Sequence, residues 1–252
     1  SKESVYKTIK GYTSSIYGTD NILTAVGEAA GVFYGYKTKG VFATDAEAAN
    51  AGKYGYLRYP TGFAGDSYRN FKAGDVHFVD QNGDGWISEA DRVKIGDANP
   101  ELYGNIFTSF TWKKFRLDAI FKYSIGNDVF NYQRSQLEGG CNLWNQSKAM
   151  ANRWTYEGQK TSVPRAVLAG SSEWVNNERF SDRWIEDGSF LKLKNIRLTY
   201  DLPLSLTWLQ GFAVWAEANN VFTISKYTGS DPESSCSNGV LYRGIDAGLL
   251  PV

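Results

Sequence analysis

The chain has 252 residues with 27 basic and 27 acidic side chains, so neither a net field nor a Lys/Arg-rich cluster draws it to nucleic acid. Aromatic residues make up 15% of it, including 16 Tyr and 8 Trp, beside 26 Gly and a single Met, a balance that favours pleated sheet and turns over helix. No run of 18 apolar residues occurs, which excludes a membrane-spanning helix but not a β-barrel, whose strands are short and alternating.

Residues 1–30 are mixed, with Val5, Tyr6 and Ile9 near one end and a small-residue, helix-like patch at 25–30. Residues 31–42 (GVFYGYKTKGVF) read as a strand with a glycine kink. Residues 43–51 predict a short helix capped by Thr44 or Asp45, with Glu47 as the capping-box partner of Thr44. A Gly- and Tyr-rich loop fills 52–71, and 74–79 (GDVHFV) predicts a short strand.

Residues 80–91 (DQNGDGWISEAD) have the spacing of a twelve-residue calcium loop. Asp80, Asn82 and Asp84 place oxygens at loop positions 1, 3 and 5, and Gly85 stands at position 6, where the backbone must turn sharply. Trp86 offers its carbonyl at position 7, Ser88 a hydroxyl that acts through water, and Asp91 closes the loop at position 12. Asp in place of a bidentate Glu at the end, and a strand in place of an entering helix, point to a structural clamp with Kd of roughly 10⁻⁴–10⁻³ M. The alternative is an Asp/Asn/Gly turn without metal. A turn of helix is expected over 88–94.

From residue 103 the pattern changes. Ile106, Thr108, Phe110 and Trp112 alternate with Phe107, Ser109 and Thr111. Lys113-Lys114 interrupts, predicting a tight hairpin. Phe115, Leu117, Ala119, Phe121 and Tyr123 then alternate with Arg116, Asp118, Ile120 and Lys122, giving one apolar and one charged face. Residues 124–188 read as a long irregular excursion with a helix near 146–154. Another strand covers 190–200, where the apolar phase shifts between Leu193 and Ile196 and requires a bulge near Lys194-Asn195. Pro203 ends it. Residues 212–222 form a fourth strand, and 223–252 a loop.

The order is therefore strand, tiny turn, strand, excursion of about 60 residues, strand, short turn, strand, long loop, and such a long excursion is usually functional. Outer-membrane barrels pair short turns at one rim with long loops at the other. Trp112 and Phe115 flank the tight turn, and Tyr200, Trp208 and Phe212 the next one. Tyr103, Tyr123, Phe190, Phe222 and Tyr227 are expected to mark the opposite rim, since amphipathic rings favour the headgroup level. Soluble jelly rolls and carbohydrate-binding sandwiches share the alternation.

Five blocks carry a specific resemblance: FYGYKTKGVF (33–42), GDVHFVDQNGDGWISEADRVKIGDANPE (74–101), FRLDAIFKYSIGNDVFN (115–131), RWIEDGSFLKLKNIRLTYDLP (183–203) and ANNVFTISKYTGSDP (218–232). In this order they resemble the C-terminal part of SusC/RagA-type TonB-dependent outer-membrane transporters. The resemblance implies an all-β fold: residues 1–252 would be part of a transmembrane antiparallel β-barrel of about 22 strands, with long extracellular loops. The loop at 80–91 would lie outside the cell. A plug domain, a TonB box, a signal sequence and the closing strand are expected beyond this stretch, whose two ends look like cuts through a longer protein.

The resemblance further implies import of oligosaccharides, or in some members peptides, across the outer membrane of Bacteroidetes-type bacteria. TonB would supply energy, outer-membrane lipid would surround the barrel, and a SusD-like surface lipoprotein would cap its mouth. Calcium would be held by Asp80, Asn82, Asp84, the Trp86 carbonyl and Asp91. Trp144, Trp154 and Trp174, with Tyr132 and Arg134, lie in the long outer excursion and are candidate substrate contacts, or else pack that loop against itself.

The competing class is a secreted, calcium-stabilised β-sandwich that binds carbohydrate. An enzyme is not expected: Glu186 and Asp187 are adjacent on a strand and point to opposite faces, so they cannot act as a glycosidase pair. The lone His77 lacks a nearby partner for zinc. Cys141 and Cys236 form no CxxC motif, and their spacing leaves open whether they pair.

Overall fold

The computed structural model describes residues 21–52, 57–59, 68–202, 211–233 and 244–246. Val5, Tyr6, Ile9, Pro203, Trp208 and Cys236 lie outside these residues. Contacts divide the chain into two compact units: residues 1–99, 129–186 and 234–252 in one, 100–128 and 187–233 in the other.

In chain order the first unit opens with β1 (Ile22–Leu23), β2 (Val32–Gly35), β3 (Thr38–Val41) and α1 (Asp45–Ala49). There follow β4 (Arg58–Tyr59), β5 (Arg69–Asn70), β6 (Val76–Phe78) and β7 (Val93–Asp97). β1, β2 and β7 form one antiparallel sheet, while β3 pairs with β6 and β4 with β5. The strand expected over 31–42 is thus two strands. Tyr36 leaves the ladder to donate its N–H to the Phe180 carbonyl. Gly35 makes room for that crossing, since a β-carbon there would stand 2.6 Å from the same oxygen.

The cap of α1 differs from expectation by one residue. Thr44 Oγ1 accepts from the Glu47 N–H at 3.1 Å, but the Glu47 carboxylate accepts from the Ala43 N–H at 2.7 Å, not from that of Thr44. Two apolar clusters form the interior. One gathers Phe42, Leu57, Phe71, Val76, Phe78 and Ile87, the other Ile22, Phe33, Phe130, Trp184 and Ile245. The helical turn expected over 88–94 is a single 3-10 turn, Glu89–Asp91, followed directly by β7. The Asp91 carboxylate holds the Ser88 N–H in a tight capping box, and the β-branched Val93 and Ile95 extend the chain beyond it.

The second unit begins with β8 (Leu102–Trp112) and β9 (Phe115–Ile125). The chain then passes through β10 (Asp128–Asn131), α2 (Tyr132–Glu138) and β11 (Ile185–Asp187) before β12 (Phe190–Leu202), β13 (Phe212–Ser225) and β14 (Ile245–Asp246). Two expectations fail here. The helix near 146–154 is only a 3-10 turn, Lys148–Asn152, while α2, capped by Asn131 onto the Arg134 N–H, lies in the stretch read as irregular. The final loop also contributes β14, which pairs in parallel with β10.

β13, β12, β9 and β8 make one antiparallel four-stranded sheet. Lys113-Lys114 closes the predicted hairpin, with Lys113 at φ 55. Opposed residues share a face. Phe110 opposes Leu117, which opposes Leu198, which opposes Ala216. Ile106 opposes Phe121, then Leu193 and Phe222. One face is therefore apolar across all four strands. The register shift lies between Leu193 and Asn195, as expected, and it keeps Leu191 and Leu193 on the same face as Ile196, Leu198 and Tyr200. This face is open: Ile106 is 53% exposed, Phe110 65% and Ile224 62%.

At the short-turn end, Trp112 opposes Phe115 and Phe115 opposes Tyr200, their rings 4.6 Å apart. The far rim corrects the sequence reading. Tyr123 and Phe222 lie on the apolar face, but Tyr103 and Phe190, each opposed to Ser124, lie on the other, and Tyr227 is buried in the loop after β13.

Candidate functional site

Residues 80–91 fold into nested turns around their own side-chain oxygens. Asp80 accepts the Gly83 and Gly85 N–H groups, one on each oxygen, both at 2.7 Å. Asn82 Oδ1 accepts from the Asp84 N–H at 2.9 Å, and Asp84 Oδ1 from the Trp86 N–H at 2.7 Å. Gly83 and Gly85 have φ of 72° and 87°, which only glycine adopts freely. Asp91 is fully buried and accepts from Gln81 at 2.9 Å and Ser88 at 2.7 Å.

The donor set fits a hard cation in chemistry. Every candidate ligand is oxygen, and each carboxylate oxygen that accepts one N–H keeps a second lone pair. The side chains do not yet form a closed cage. Asn82 Nδ2 donates to Asp84 at 2.9 Å, and among the described residues no three acidic, His or Cys side chains converge as a metal site.

The three tryptophans differ. Trp144 is 67% exposed. The Trp154 indole donates to the Ala43 carbonyl at 3.2 Å, and its ring covers Gly74, where a β-carbon would stand 2.5 Å away. The Trp174 indole donates to Glu178 at 3.2 Å. Trp154 therefore packs against Ala43 and Gly74 outside the excursion, Trp174 has its partner Glu178 within it, and Trp144 alone of the three offers an open ring. Arg134 is committed to ion pairs with Glu186 at 2.7 Å and Glu138 at 3.1 Å. Cys141 is a free thiol.

The polar face of the four-stranded sheet carries a feature the sequence reading missed. Ser109 and Arg116 hydrogen-bond Asp118 at 2.6 and 3.1 Å, and Asn195 bonds Glu217 and Asn219 at 2.6 and 2.8 Å. Ser109, Asp118, Asn195, Glu217 and Asn219 line a depression of about 840 Å³ with Arg197, whose guanidinium lies 4.7 Å from the centre of the half-exposed Trp215 ring. Beside it, Lys122, Lys192 and Lys194 surround the Glu233 carboxylate at 2.7, 3.0 and 2.9 Å. Lys192 also reaches Asp231 at 2.6 Å. Burial would raise Glu233, but the hydrogen bonds from Lys122, Lys194 and Lys192 outweigh it and hold the carboxyl down at about 2. Shared phase of Lys122 and Lys192 on their strands was readable. Their meeting with a loop carboxylate was not.

No protein-family model matches the chain. It is 33% identical over 233 residues to TonB-dependent receptor P3 of Formosa agariphila, covering 89% of the chain and 21% of that relative. It is 26% identical over 205 residues to TonB-dependent receptor SusC of Bacteroides thetaiotaomicron, covering 77% of the chain and 19% of SusC. The chain matches a section of the SusC-type TonB-dependent receptors. It spans about a fifth of the length of these curated relatives. Among solved structures, the RagAB peptide importer in its closed-closed state superposes with a TM-score of 0.62 at 23% identity, over 94% of the chain and 23% of the importer chain. A second RagAB peptide transporter structure gives 0.64 at 24% identity, over 93% and 22%. These likenesses carry the fold: the four-stranded sheet is a section of a β-barrel wall, with a long excursion between β9 and β12.

Proposed function

We propose that the chain is part of an outer-membrane importer of oligosaccharides, or of peptides, energised through TonB and capped by a SusD-like surface lipoprotein. The observation that carries this is the uninterrupted apolar face of β8, β9, β12 and β13. Hydrocarbon is the solvent such a face suits, and the opposite face, polar and charged, suits a wet bore. The two-residue turn after β8 and the long excursion after β9 match the two rims of such a barrel. A secreted carbohydrate-binding sandwich would bury this apolar face against a second sheet, and its exposure speaks against that alternative.

In this role the loop at 80–91 is an extracellular clamp. Asp80, Asn82, Asp84, the Trp86 carbonyl and Asp91 would hold calcium once the Asn82 amide turned its nitrogen away from Asp84. Bound calcium would fix the strand-to-strand turn between β6 and β7. Trp144 is the tryptophan best placed to meet cargo or lid, and Trp154 and Trp174 would act there only through the packing of the loop.

The test is made on the full-length protein in its native host. Expression should give an outer-membrane band that migrates differently before and after boiling, and deletion should abolish growth on one glycan or peptide source. Recovery of the intact protein in the aqueous fraction without detergent would overturn the assignment.

A further inference from the structure

We infer that Lys122, Lys192 and Lys194 form an anion-binding site for a carboxylate-bearing sugar, with Glu233 as its built-in occupant. The inference rests on the importer reading above, because it takes the polar face to border the path of cargo.

The site is built, not incidental. Lys122 comes from β9, Lys192 and Lys194 from β12, and the three ammonium groups meet one carboxylate at 2.7–3.0 Å. Lys192 is nearly buried, its side chain 7% exposed, so its charge must be met by an anion at close range. Two acidic side chains, Asp231 and Glu233, answer three lysines. Both acids arrive on one short loop segment beyond β13, not on the sheet itself. Lys122 and Lys192 are thus fixed by the ladder and Lys194 by the bulge beside it, and the occupant is carried by a separate connection. A carboxylate from solution would meet the same three donors if that segment withdrew.

Chemistry next to the cluster selects the rest of the ligand. Lys194 also lines the depression on the polar face, together with Asn195, Arg197, Glu217 and Asn219. Amides and a carboxylate bond hydroxyl groups in both senses. The Trp215 ring, 59% exposed, carries Arg197 on it. An acidic group in the lysine cage with neighbouring hydroxyls on the amides describes a uronic-acid oligosaccharide better than a neutral one. An acidic peptide would satisfy the lysines but leave the amide and carboxylate set without hydroxyl partners.

The experiment uses the full-length receptor in detergent and measures calorimetric binding of three probes: a tri-uronate, a neutral trisaccharide of similar size, and tri-glutamate. The tri-uronate should bind, weaken steeply with added salt, and bind at least tenfold tighter to Glu233→Gln, which frees the cage without removing a lysine. Lys192→Gln should lose tenfold or more, with the boiling-dependent band shift reporting that the barrel still forms. Should Lys192→Gln fail to assemble, the gain in Glu233→Gln decides alone. Binding of the neutral trisaccharide with no response to Glu233→Gln would overturn the site while leaving import intact. Preference for tri-glutamate would overturn the sugar assignment. Absence of binding by all three, with no uptake of any glycan or peptide by the host, would overturn the importer reading itself.

Discussion

Arg165 grips Asp75 with Nε at 2.7 Å and Nη2 at 3.1 Å, and Asp75 has no exposed surface. Asn177 adds a hydrogen bond at 3.1 Å and the Lys72 N–H another at 2.8 Å, so the carboxylate is fully met. The pair ties β6 to the excursion near residues 165–177. Asp75→Ala should cost up to about 3 kcal/mol of local stability, because it leaves a largely buried guanidinium with only its Glu173 contacts at 3.2 and 3.7 Å. Hydrogen exchange over 72–78 and 163–177 in the full-length protein measures this. Unchanged protection in both segments would show that the pair holds nothing together.

Ile106 and Phe107 are neighbours on β8, both apolar and both more than half exposed, yet they face opposite sides. If the Ile106 side meets lipid, Ile106→Arg should cost about 2–4 kcal/mol and reduce assembled barrel in the outer membrane. Phe107→Arg should be tolerated. Equal yields of the boiling-sensitive band for both variants would contradict the assignment of faces.

Calcium at residues 80–91 should stabilise the loop by about 1.4–2.7 kcal/mol at 10 mM, given a Kd of roughly 10⁻³–10⁻⁴ M. Chelation should then raise hydrogen exchange over 80–91, and Asp80→Ala should show the raised rate with or without the metal. Identical exchange in calcium and in chelator would leave these residues a metal-free turn.

Glu178 gives the first unit a pH dependence. Burial raises its pKa, and the hydrogen bonds from Cys141 and Trp174 and the Arg179 charge offset only part of that. The folded chain therefore holds this proton more tightly than the unfolded chain does. Its contribution is fully present below the ordinary Glu range and is lost as pH rises through the raised value. Glu178→Gln should remove the loss, so its gain in thermal midpoint should grow between pH 4 and pH 8. A gain that shrinks with pH would reverse the sign.

Cys141 should be a slow thiol. Burial, and next the Glu178 charge, push it up to about 11. At pH 8 its alkylation in the folded protein should be on the order of tenfold or more slower than that of an unhindered thiol. Peptide mass mapping distinguishes it from Cys236. Rapid labelling of Cys141 in the folded state would contradict this environment.

The long strands, the Lys113-Lys114 hairpin and the bulge were legible in the sequence because alternation is a local signal. Likewise, the girdle at the short-turn end followed from Trp112, Phe115 and Tyr200. The far rim was misread at Tyr103 and Phe190, since closeness to a strand end does not say which face a ring takes. What remained hidden was non-local. Lys122 meets Glu233 across 111 residues, and Lys192 meets it across 41. No spacing rule reaches that far. α2 went unseen because seven residues are too few for a helical period to emerge. The roles of Trp154 and Trp174 depended on where Gly74 and Glu178 lie in space.

The bulge in β12 carries one spare residue. Were Lys194 drawn into a regular ladder, every side chain between it and the short turn would swap sides: Ile196, Leu198 and Tyr200 would be dipped in water, and Arg197 and Thr199 pressed into oil. One backbone unit thus decides whether half a strand is right side out. It is also the unit the strand can lose, since without Lys194 the chain would close up with Asn195 next to Leu193 and no side chain would change its surroundings.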